Sequence, residues 1–119
     1  MDIKETAVAI HDNAQNKGFW RDYETYSIKL KQCTSTDKEL YQKAQLQWIT
    51  VMLALIGTEV SEAIEGLRKG DYENFGEEIA DIVIRAFDLA EGLGIDIESE
   101  IKRKMEINNS REHKHGKKF

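Results

Sequence analysis

The chain has 119 residues with a net charge of −5, no proline and one cysteine, a length that makes one domain with a modest core. A lone Cys33 excludes a disulfide framework or an intrachain zinc site, and no apolar run reaches the roughly 18 residues of a membrane span. With no leader signal either, the expectation is a soluble, cytoplasmic protein; its wealth of Glu, Lys, Ala, Leu and Ile predicts an all-α fold.

Asp2 and Glu5 stand in capping-box spacing, and Ile3, Ala7, Ile10 and Ala14 then form one helical stripe that Gly18 ends. Phe19-Trp20 follow directly. They read first as a plug for the end of the bundle, and second as a wall on which a base could stack. Residues 21–35 lack a clear period and read as a connection with room for a helical turn. Thr36 and Glu39 form a second capping box, opening a long helix to about Lys69 with a core stripe of Ile49, Leu53, Ile56, Val60, Ala63, Ile64 and Leu67. Gly70-Asp71 breaks it, Asp71 being a good N-cap for a third helix that Gly92 and Gly94 end near Leu93. Asp96 caps a fourth, from Ile97 to about Arg111.

Four acids mark the second and third helices of this reading: Glu59 and Glu62, then Glu78 and Asp81. Residues three apart on a helix are neighbours about 5–6 Å apart, so each pair concentrates its oxygens at one spot. If the helices pack antiparallel, the two spots meet. Such pairs usually mark a solvated face. Here Glu59 continues the row of Met52 and Leu55, and Glu78 lines up with Ile82 and Leu89. A partly buried carboxylate needs a partner, and Arg85 is the only cation close by on these helices. Oxygen-only sites suit Mg²⁺, Mn²⁺ or Ca²⁺.

The charge is unevenly spread. Residues 58–100 hold 13 acids against 3 Lys or Arg; residues 102–118 hold 7 Lys or Arg against 2 acids. An acidic centre beside a basic end fits a metal site next to an anion-holding segment, whereas a nucleic-acid polymer wants a broad basic face. Ile97, Ile101, Lys104, Asn108 and Arg111 share one row on the last helix, which predicts that the donors face inward with the isoleucines. Lys104 and Arg111 would then bind phosphate, and Asn108 would position sugar or phosphate. The plain alternative is a set of salt bridges with Glu100 and Glu112.

Leu55-Ile56-x-x-Glu59-Val60-Ser61-Glu62-Ala63-x-Glu65, Glu77-Glu78-x-Ala80-Asp81, Lys104-Met105-Glu106-x-Asn108-x-x-Arg111 and His115-Gly116-Lys117 together resemble the MazG-like all-α nucleoside triphosphate pyrophosphohydrolases. Ile10-His11-x-x-Ala14-x-x-x-Gly18-Phe19-Trp20 resembles the opening of that family. The resemblance covers nearly the whole chain, weakest over residues 21–47. It implies a four-helix bundle over residues 1–112, completed by assembly as a homodimer or homotetramer, with a basic tail at 113–119. It also implies Mg²⁺-dependent cleavage of a nucleoside triphosphate to the monophosphate and pyrophosphate, with Mn²⁺ as a substitute. Glu59, Glu62, Glu78 and Asp81 would hold the metal and Lys104, Asn108, Arg111 and Lys117 the nucleotide; Glu59 is the candidate for orienting or deprotonating the water. Two departures stand out: Thr58-Glu59 where many members double the acid, and no His-x-Pro-x-Asn stretch of the deoxycytidine-triphosphate branch.

Two rival classes differ in kind. A ferritin-like di-iron bundle needs Glu-x-x-His pairs, and His11, His113 and His115 lie far from the acidic motifs. A non-catalytic helical interaction module, or a degenerate family member, is the serious alternative. Pyrophosphate release with Mg²⁺ across a panel of triphosphates separates it from an enzyme.

Overall fold

The computed structural model describes residues 1–119, Ser35 by its backbone alone. Among the described residues it holds five α-helices and no strand: α1 (Ile3–Asn16), α2 (Arg21–Gln32), α3 (Ser35–Arg68), α4 (Phe75–Gly92) and α5 (Ile97–Asn109), followed by a short 3-10 turn at His113–Gly116. The all-α expectation is met, with one helix more than the sequence suggested.

That helix is α2, where a connection was expected over 21–35. Its half-buried residues are Tyr23, Tyr26, Ser27 and Leu30, spaced i, i+3, i+4, i+7. The stripe is genuine but is built from two tyrosines, a serine and a single leucine, so an aliphatic pattern does not reveal it. α2 packs along α3, where Gln45 donates to the Ser27 hydroxyl at 2.9 Å.

Capping follows the sequence at two of four helix starts. Asp2 accepts from the Glu5 amide at 2.8 Å, and Asp96 from the Ser99 amide at 3.2 Å and hydroxyl at 2.8 Å. These bonds stabilise the charged form of Asp96 and hold its carboxyl below the usual range. The expected Thr36–Glu39 box does not form, because the chain turns helical one residue earlier, at Ser35 after Thr34. Asp71 is not the N-cap of α4 either. The loop runs on to Asn74, which donates to Asp71 at 3.1 Å within the turn. The fourth predicted helix ends at Asn109, two residues short of Arg111.

α3 differs most from expectation. Its 34 residues span about 51 Å at 1.5 Å per residue, the longest dimension of the molecule. The face turned to α2 and α4 carries Tyr41, Ala44, Trp48, Met52, Leu55, Glu59 and Ala63. Much of the predicted core stripe looks outward: Leu53 is 56 % exposed, Val60 41 %, Ile64 53 % and Leu67 42 %. The helix carries two apolar rows, and α2 and α4 dock on the one that holds Trp48.

What packs inside is small. Only Ala7, Trp20, Ala63, Leu89 and Ala90 are buried hydrophobics among the described residues. The radius of gyration is 17.8 Å, where a compact domain of this length has about 13.5 Å. The accessible surface is 9103 Å², where a monomer of this mass exposes about 6,600 Å².

Candidate metal and nucleotide site

α3 and α4 are antiparallel neighbours joined by the short loop after Lys69, so acids late in one face acids early in the other. One carboxylate oxygen each from Glu59, Glu78 and Asp81 lies within 4.8 Å of the other two. Three of the four predicted ligands are thereby brought together. Glu62, one turn further along α3, is exposed and outside this triangle, although its charge still acts on Glu78.

Glu78 is the most perturbed member. Its Oε2 is buried and has no hydrogen-bond partner. Loss of hydration pushes its carboxyl above the ordinary glutamate range, and the charges of Glu62, Asp81, Glu59 and Glu77 push the same way. Glu59 has a partner: Arg85 Nε donates to its Oε1 at 2.8 Å.

Beside the triangle lies a cleft of about 350 Å³, lined by Ile10, Asn13, Ala14, Phe19, Met52, Leu55, Glu59, Asp81, Ile84, Arg85 and Asp88. An apolar wall with a few polar groups at one edge is the usual make-up of a small-molecule site. Phe19 and Trp20 take different roles here. Trp20 is 3 % exposed and plugs the bundle, as its first reading had it, whereas Phe19 is 68 % exposed and stands in the cleft wall.

A second polar group, unassigned by the sequence reading, underlies the cleft. One oxygen of Asp88 accepts from Trp20 Nε1 at 2.9 Å and from His11 Nδ1 at 2.8 Å. The His11 ring meets Trp20 edge-on at 4.7 Å, and Trp20 leans on Trp48 at 4.6 Å. Trp20 also presses so closely on Gly92 that a Cβ there would overlap the indole. A signal did exist in the sequence. Asp81, Arg85 and Asp88 fall at i, i+4, i+7, a charged row on a helix otherwise rich in apolar residues.

Among the described residues no hydrogen bond or ion pair joins the predicted nucleotide ligands of the C-terminal segment to the carboxylates of α3 and α4. α5 packs on α1 and on α4. Lys104, Arg111 and Lys117 are exposed, so of the inward-facing donors expected there only Asn108 turns in; its amide oxygen is buried without a partner. The salt bridges on α5 join Lys102 to Glu98 at 4.0 Å and Arg103 to Glu100 at 2.9 Å, leaving Lys104 and Arg111 out.

The sequence profile of the MazG-like family matches residues 52–119, more than half of the chain and inclusive of both acidic motifs and α5. The chain belongs to the MazG-like family. No curated protein and no solved structure matches it. The all-helical architecture agrees with that family assignment, and none of the described helices is long and apolar enough to cross a membrane.

Proposed function

We propose that this MazG-like chain is a Mg²⁺-dependent nucleoside triphosphate pyrophosphohydrolase, releasing pyrophosphate and a nucleoside monophosphate. The observation that carries this reading is the buried, partnerless Oε2 of Glu78, within a triangle of acids at the mouth of an apolar cleft. Three carboxylates at one point are costly unless a cation joins them, and an all-oxygen donor set fits a hard divalent ion. Glu59, Glu78 and Asp81 would hold it, with Glu62 one turn away as a further ligand. Such an ion supplies positive charge to the phosphoryl oxygens and acidifies a bound water.

The remaining work falls to side chains. Ile10, Phe19, Met52, Leu55 and Ile84 would receive the base and exclude water from one side of the substrate. Glu59, half-buried on α3, would orient the attacking water or take its proton. Lys104, Asn108, Arg111 and Lys117 would bind phosphate and sugar. Because Lys104, Arg111 and Lys117 are exposed and pair with no acid of their own chain among the described residues, that role would fall to a neighbouring copy in an assembly.

The outward face of α3 supports such an assembly. Leu46, Leu53, Val60 and Leu67 recur every seven residues and are 65, 56, 41 and 42 % exposed, and Phe75, Ile79 and Val83 continue an apolar surface on α4. A seven-residue apolar repeat on a long helix is the pattern of helix-to-helix association. Sedimentation equilibrium at micromolar concentration is expected to return the mass of two or four chains, and a monomer removes this part of the reading.

The deciding experiment incubates the purified protein with a panel of triphosphates, with and without Mg²⁺, and identifies the first product. Pyrophosphate, formed only with the metal, is expected. Orthophosphate would assign another reaction, and no turnover of any triphosphate would leave a helical interaction module as the better account.

A further inference from the structure

The ion pair between Arg85 and Glu59 has a peculiar composition. Glu59, whose side chain is 13 % exposed, is a corner of the carboxylate triangle, and Arg85, at 40 %, reaches it from α4 at 2.8 Å. One turn before Arg85 on that helix stands Asp81, another corner, and both line the cleft with Glu59. The protein therefore places its own cation against one of the three acids that a divalent ion needs.

Two cations cannot both use Glu59 well. At a few ångströms, like charges repel by several kcal/mol even when partly screened, so an arriving divalent ion displaces the guanidinium. Among the described residues the bond to Glu59 is the one side-chain hydrogen bond Arg85 makes, and two-fifths of its side chain is open to solvent. The displaced group remains in the wall of the cleft. A guanidinium is a planar, permanently charged fork that matches phosphate oxygens with two parallel hydrogen bonds.

We propose that Arg85 is an exchangeable counter-ion, pairing with Glu59 when no divalent ion is bound and transferring to the polyphosphate of the nucleotide when metal and substrate arrive together. This inference rests on reading the carboxylates as a metal site. Its consequence is that the ion binds weakly by itself and much better with nucleotide. By thermodynamic reciprocity the nucleotide also binds better with the ion than its direct contacts to the metal alone would give. Arg85 would thereby keep the acids from holding an ion without substrate.

The test titrates Mn²⁺ into the full-length protein and follows the free ion by electron paramagnetic resonance, first without nucleotide and then with a non-hydrolysable triphosphate analogue. Arg85→Met keeps an apolar stem and removes the charge. It is expected to bind Mn²⁺ about five- to fiftyfold more tightly than wild type without nucleotide, and to lose that advantage when the analogue is present. Arg85→Lys keeps the charge without the fork, so it should match wild type for Mn²⁺ alone and bind the analogue less well. If Arg85→Met, with an unchanged helical circular dichroism spectrum, binds Mn²⁺ no more tightly than wild type, Arg85 is a fixed brace and the exchange is overturned. Should that variant not fold, Arg85→Lys decides, and an analogue affinity equal to wild type overturns the proposal. Failure of the exchange while wild type still binds Mn²⁺ and releases pyrophosphate leaves the proposed function standing. Wild type that adds no Mn²⁺ binding beyond that of the analogue alone, even with the analogue present, overturns both.

Discussion

Asp88 and Glu78 are carboxylates on the same helix, ten residues apart, and their surroundings are opposite. One oxygen of Asp88 takes two N–H donors, from Trp20 and His11, and ties α1 and the turn after it to α4. Glu78 has a buried oxygen with no donor at all and four acids whose charges act on it. The same chemical group is a fastener in one place and a source of repulsion in the other. A protein keeps an unsatisfied buried acid where something other than folding requires it. The contrast supports a structural part for Asp88 and the proposed ligand-binding part for Glu78.

Neutralising the two acids separates those roles most sharply. Glu78→Gln should cut metal-dependent pyrophosphate release by at least about a hundredfold, the scale of losing an ion ligand, while the metal-free protein melts at a higher temperature. Asp88→Ala should do the reverse in kind. It orphans two buried donors and costs about 2–4 kcal/mol of stability, read from urea denaturation. If Glu78→Gln destabilises the metal-free protein, the repulsion inferred around it does not exist. A third substitution sharpens the fastener side alone. Gly92→Ala drives a methyl into Trp20 and should cost about 1–3 kcal/mol, with the same measurement as its check.

The smallest effect is one of pH. The carboxyl of Glu78 titrates above its unfolded value, so the folded protein holds that proton more tightly than the unfolded chain does. Its contribution to stability is fully present below the ordinary glutamate value of about 4.3 and is lost as pH rises through the raised folded value. Wild type should therefore fall further behind Glu78→Gln in melting temperature as metal-free samples are taken from acid toward neutral pH. A constant gap across that range contradicts the raised pKa.

The acidic motifs and helix α4 could be read from the sequence because their signals are local: i, i+3 acids, a glycine stop, an apolar row. The inward stripe of α1 was legible for the same reason, with Ala7 buried as its pattern required. α2 was not, because its half-buried side is carried by Tyr23, Tyr26, Ser27 and Leu30, with a single aliphatic residue among them. α3 misled differently. It has two apolar rows, and periodicity alone cannot say which faces the same chain and which faces outward. The pairing of His11 with Asp88 spans 77 positions of sequence, and no local pattern encodes a contact of that range. The row on α5 was legible only in part: Ile97, Ile101 and Asn108 turn in, whereas Lys104 is exposed and Arg111 lies beyond the end of the helix at Asn109. A stripe defines a side of a helix but not the neighbour it meets.

The chain has two tryptophans, and both stand in one cluster, Trp20 from the turn after α1 and Trp48 from α3, with Tyr23 of α2 against each. Its tryptophan fluorescence is thus the emission of a single spot, quenched or shifted together rather than averaged over the molecule. That spot adjoins the candidate site: Trp20, Met52, Arg85, Asp88 and Leu89 enclose a small cavity between them. Light absorbed there reports whether α1, α2, α3 and α4 are still joined, and it would register the proposed departure of the Arg85 guanidinium from the neighbourhood of the indole. The protein is therefore its own spectroscopic reporter, and stopped-flow emission can time events at the cleft without any added label.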